Sequence, residues 1–203
     1  MKNRTLQELN EQIKKDNEVF LASSNAEKRV AIAQDCLARI AFQQFKPHTG
    51  SICKFTFNNS TKKDGLKNLL DKGESCHVCA KGGLLVAYVG RVNELKVKDL
   101  SGHYYDNPVD DFNSLDTNEH RKLLEIFDGH QLALIETVFE DNQYLTIDEN
   151  NNEINLDMDA IEEYRTKILL DWSTGIIDLK FETFLLNDIC ENIIANKGTF
   201  VLN

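Results

Sequence analysis

The stretch Glu74–Gly90, ESCHVCAKGGLLVAYVG, decides how the chain is read. It sets Cys76 and Cys79 three positions apart and then enters the most apolar segment of the molecule. Half a metal site, a nucleophile at a helix start and a packed core helix all begin this way. On a helix over residues 75–92, counting by three and four puts Cys76, Cys79, Gly83, Ala87 and Gly90 on one stripe. Every member is small, so a second backbone can approach closely along it. Val78, Leu85, Val89 and Val92 fall on another face, and Leu84 and Tyr88 fill the gap between. Interior glycines cost about 1 kcal/mol each relative to alanine, and a helix that accepts two of them is usually packed against at short range. The reading favoured is a buried central helix.

The two sharper readings are weaker. Structural zinc needs four ligands, and Cys76 with Cys79 supplies half a site. Cys53, His77 or His103 could complete it, but no second pair has matching spacing, so no metal and no cofactor are expected. A cysteine in a helix's first turn feels the positive end of the dipole, which lowers its pKa. That keeps Cys79, Cys76 and His77 as candidates for a cysteine-dependent hydrolase or transferase, with His103 and His120 as other possible bases. No spacing rule fixes any of these histidines against a thiol.

Outward from this segment, 203 residues at 41% hydrophobic suffice for one sizeable core, and one domain over 1–203 is expected. Five cysteines are an odd number, and a chain of this size needs no disulfide framework, so free thiols are expected. The longest uncharged run, Gly82–Gly90, is far shorter than the roughly 20 residues of a membrane helix. The polar N-terminus lacks the apolar core of a secretory signal, which points to the cytoplasm. The net charge of -10 is uneven: residues 1–105 carry 17 basic and 11 acidic side chains, residues 106–203 carry 6 and 22. The basic half could receive an anion, or the halves could neutralise each other. With six arginines and no basic run interleaved with aromatics, direct nucleic-acid binding is not expected.

Capping boxes at Thr5–Glu8, Ser24–Glu27 and Asp116–Glu119 open three helices. The first, within residues 1–22, is polar and peripheral. The second carries an apolar stripe of Val30, Ala33, Leu37, Ile40 and Ala41, and Lys46-Pro47 is expected to end it. SICKFTFNN alternates as a short strand, and GLKNLLDKG reads as a brief helix stopped by Gly73. Residues 93–115 read as a long surface loop. Asp128-Gly129 divides two helices, the Asn-rich stretch 143–158 suggests a hairpin, two more helices follow, and Thr199–Leu202 suggests an edge strand. The expected fold class is mainly α (α+β): a single-domain helical core with a buried central helix and minor β strands or a hairpin.

Remaining motifs carry less. DENNNEINLDMD has oxygen side chains at the first calcium-loop positions, but Glu153 stands where glycine is needed and Asp159 where glutamate is needed. No phosphate-cradling glycine loop is present. His103, Tyr104 and Tyr105, followed by Asp106, group an imidazole, two phenols and a carboxylate, and they are the candidate ligand-binding residues.

Four stretches, RVAIAQDCLARI, CHVCAKGGLLVAYV, HQLALIETVFE and ENIIANKGTF, together resemble a family of hypothetical proteins of bacteriophages, especially of Bacteroidetes hosts, and of some bacteria. The likeness spans nearly the whole chain. It transfers no catalytic residue and implies a setting: an accessory phage protein in the host cytoplasm. The expected function is a non-enzymatic binding or interaction protein, an inhibitor or ligand-sequestering module of host defence, whose partner is a host protein or a small anionic ligand. The cysteine enzyme is one alternative and a structural component of the virion a second.

Overall fold

A computed structural model describes residues 5–50, 53–55, 65–92, 118–142, 152–175 and 179–202. Helices α1 (Leu6–Ala22) and α2 (Asn25–Ala41) form an antiparallel hairpin, each opened by the expected capping box. Thr5 Oγ1 accepts from Glu8 N at 3.2 Å while Glu8 returns a carboxylate oxygen to Thr5 N at 2.7 Å, which satisfies two otherwise orphaned donors. Strands β1 (Phe45–Pro47), β2 (Cys53–Phe55) and β3 (Cys76–Val78) form one small sheet in the order β1-β3-β2. β1 runs parallel to β3 and β2 antiparallel to it. The remaining helices are α3 (Leu66–Asp71), α4 (Ala80–Val92), α5 (Asn118–Phe127), α6 (Gly129–Glu140), α7 (Met158–Thr174) and α8 (Phe181–Ala195). The protein is mainly helical with minor strands, as its sequence implies. Among the described residues no helix is long and apolar enough to cross a membrane.

Helix α4 is the centre of this arrangement. Ala80 through Arg91 are all buried, and α2, α3, α5 and α6 pack around it. At Gly83 an added methyl group would lie 3.2 Å from Cys36 Sγ of α2 and 3.6 Å from Leu186. At Gly90 the added group would meet the Arg39 guanidinium at 3.2 Å and Leu70 at 3.3 Å. The glycines therefore seat neighbouring elements at short range, and the buried central helix is real.

Its start differs from the expectation of a helix over 75–92. Cys76–Val78 is a strand, so Cys76 does not share a helical stripe with Gly83. The reason is pairing on both sides: Cys76, His77 and Val78 stand in register with Phe45, Lys46 and Pro47 and with Phe55, Lys54 and Cys53. Alternation fits the strand too, with Cys76 and Val78 buried and His77 between them half-buried. Helix α2 also stops sooner than Pro47, because Gln43 adopts a left-handed φ of 58° and the chain then turns into β1.

The C-terminal segment is not an edge strand. Side-chain amides hold it instead: Gln131 Oε1 accepts from Phe200 N at 2.8 Å, Asn192 Oδ1 accepts from Val201 N at 3.0 Å, and Asn192 Nδ2 donates to Val201 O at 2.8 Å. Gly198, at φ 98°, lies so close to α2 that an added methyl would stand 2.4 Å from the Ala26 carbonyl oxygen. The long loop at 93–115, the third capping box and most of the Asn-rich hairpin lie outside the described residues.

Candidate binding groove

The sequence-predicted thiols sit deep in the molecule. Cys36, Cys76, Cys79 and Cys190 are free and buried. Cys79 immediately precedes α4, and its sulfur accepts from Gly82 N at 3.4 Å, taking the part of an N-cap acceptor. Burial pushes its thiol up to about 12, only partly offset by the Gly82 N–H, so it stays protonated at neutral pH. A hydrogen bond with Cys190, then burial, raises the Cys36 thiol as well. Strand alternation turns His77 to the face opposite Cys76. Among the described residues no three histidine, cysteine, aspartate or glutamate side chains converge as a metal site. His103, Tyr104 and Tyr105 lie outside the described residues.

His77 points instead toward a feature the sequence does not announce, an open groove of about 950 Å³ along α2. Its floor includes Leu37, Ala38 and Ala41, three residues at helical spacing on one face of α2. One wall is α1, through Leu9, Gln12, Ile13 and Asp16, again at helical spacing. The opposite wall is α8, through Lys180, Thr183, Asn187 and Glu191. β1, His48 and His77 close one end.

The directions of these helices sort the charges. α1 and α2 are antiparallel about the turn at Ser23–Ser24, so Asp16 lies toward the middle of α2 and Leu9 toward its C-terminus. α8 is antiparallel to α2 as well, because Gly198, just past α8, touches Ala26 at the start of α2. Lys180 therefore stands near Ala41 and β1, and Glu191 stands toward the other end. Lys46, His48, His77 and Lys180 gather at the β1 end, while Asp16 and Glu191 occupy the other. His48 and His77 have ring centroids 5.9 Å apart, and His48 Nδ1–H donates to the Thr49 carbonyl.

Under the floor lies a buried ion pair. Arg91 Nε donates to Asp35 Oδ2 at 2.6 Å, both side chains are 7% exposed, and the guanidinium stacks 4.7 Å over Phe20. Burial pushes the Asp35 carboxyl up, and Arg91 opposes that shift. A second buried pair, Lys81 with Glu136, ties α4 to α6, and burial lowers the Lys81 ammonium. Both pairs join helices inside the fold.

Sequence reasoning singles out neither Lys46 and His48 nor Lys180, which are separated by more than 130 positions and meet only through packing. The one signal available is the basic excess of residues 1–105. Compared with known protein families, with curated proteins and with solved structures, the chain matches none of them.

Proposed function

We propose that this protein is a non-enzymatic binding module, of the accessory kind its phage-like motifs imply, and that the groove along α2 is where its ligand sits. The observation that carries this reading is the groove's composition: a half-open apolar floor with lysines and histidines at one end. Concave sites with apolar walls and a few placed polar groups are the usual form of small-molecule sites. The buried, protonated Cys79 gives a cysteine-dependent mechanism no support.

An extended peptide is a poorer fit than a small molecule. Among the described strands β1 lies at the edge of the sheet, and Cys76 N→Gln44 O with His48 N→Val78 O shows that Gln44 and His48 point their backbones at β3. Alternation then turns Phe45 and Pro47 to the open edge, where proline offers no N–H for strand addition.

The test uses N-phenyl-1-naphthylamine, an uncharged apolar fluorophore, on the full chain. It is expected to bind saturably, and Ala41→Trp, which fills the exposed end of the floor, is expected to abolish the signal while leaving far-ultraviolet dichroism unchanged. Saturable binding that ignores Ala41→Trp, or no binding at all, removes the groove as the ligand site.

A further inference from the structure

Resting on the groove as the ligand site, we infer that its ligand is an amphiphile with a single anionic head, held with the head at Lys46, His48, His77 and Lys180 and the apolar body on Leu37, Ala38 and Ala41. Charge and shape both enter. The two lysines and two histidines come from three separate elements, β1 with the residue after it, β3 and the start of α8, so their convergence belongs to the tertiary fold. Away from them the floor of α2 offers alkyl surface, and contact with it removes apolar area from water.

The far end sets a limit on the ligand. Asp16 and Glu191 line the groove there, and from Gln34 to Ala41 the floor spans eight residues, about 10 Å along the helix. A polyanion laid along the groove would bring its second charge against carboxylates, with an unfavourable Coulomb interaction. The head is thus single, whether carboxylate or phosphate, and the other end is uncharged or cationic. The Asp35–Arg91 pair, already matched, adds no net charge below the floor.

The sole tryptophan reports on this site without labelling. Trp172 Nε1 donates to Leu179 O at 2.8 Å, and Leu179 lines the groove beside Lys180. The experiment follows Trp172 fluorescence and naphthylamine displacement as decanoate, decyl phosphate, decanol or decanedioate is added. Decanoate and decyl phosphate are expected to bind alike, with decanol and decanedioate about tenfold weaker, the effect of losing one charge-assisted contact or meeting a like charge. Lys46→Glu with Lys180→Glu is expected to weaken decanoate about tenfold. Both side chains are exposed, and a carboxylate at position 180 is compatible with the start of α8. Should decanol or decanedioate bind as tightly as decanoate, or the double variant change nothing, the anionic-head inference is overturned while the groove stands. Should the naphthylamine ignore Ala41→Trp, the groove itself is lost, and the two failures are told apart.

Discussion

Helix α2 presents two faces that look alike in sequence and differ in fate. One carries Ile32, Ala33 and Cys36 and is sealed, with Cys36 close to Gly83 of α4. The other carries Leu37, Ala38 and Ala41 and floors an open groove. Both are apolar and both include small side chains. What differs is the element opposite. Against the first face stands a glycine, where an added methyl group would lie 3.2 Å from the Cys36 sulfur; beside the second stand the flanks of α1 and α8, with β1, His48 and His77 at one end. Small residues permit close approach, but a matching neighbour must arrive to use it, and otherwise they leave room.

Substitutions can sharpen or break that contrast, and the largest effect is expected at the boundary between the faces. Asp35→Ala leaves Arg91 buried without its carboxylate and should cost about 4 kcal/mol in urea unfolding, with much of the loss recovered by adding Arg91→Met. Next, Gly198→Ala places a side chain at φ 98° against the Ala26 carbonyl and should cost about 3 kcal/mol by the same measurement. Gly83→Val on the sealed side should cost about 2 kcal/mol through overpacking. Gly83→Ala should be close to neutral there, because a gain of about 1 kcal/mol in helix propensity offsets the small displacement of Cys36.

Smaller than the Gly83→Val effect is the alkaline response of the sealed core. The folded Cys79 thiol sits at about 12 against an ordinary 9.0, so the stability tied to its proton is full below pH 9 and fades as pH rises toward 12. Cys79→Ala should lessen the loss of stability between pH 8 and pH 10 by about 1 kcal/mol, the share that belongs to this thiol, in unfolding measured at the two pH values. The smallest change belongs to the open face: Ala41→Trp should alter stability by less than about 0.5 kcal/mol while eliminating naphthylamine binding. If Ala41→Trp destabilised the protein as much as Gly83→Val, the two faces would be one continuous core and the groove no site.

Much of this fold is legible locally. Thr5 with Glu8 and Ser24 with Glu27 announce two helix starts at the residues where they occur, because a capping box is satisfied within four residues of chain. Gly73 and Gly198 mark helix ends by taking positive φ. Cys76–Val78 is misread as helix because three residues of alternation are outweighed by the long apolar run behind them, and the pairing that fixes the strand comes from β1 and β2. Thr199–Leu202 is misread as a strand for the converse reason: Gln131 and Asn192 supply through side chains the hydrogen bonds a neighbouring strand would have given.

The groove was scarcely legible at all. Leu37 and Ala41 belong to the apolar stripe expected to face inward, and periodicity cannot say which arc of a helix its neighbours will cover. The chain alone determined a helical protein with one buried, glycine-bearing helix at its centre, since hydrophobic period and capping chemistry act over a few residues. Tertiary structure alone decided that Lys46, His48, His77 and Lys180 share one end of a cleft, because that depends on α8 running back along α2 from a contact between Gly198 and Ala26. Charge and apolarity are written residue by residue, whereas a concavity exists only between elements that have already packed.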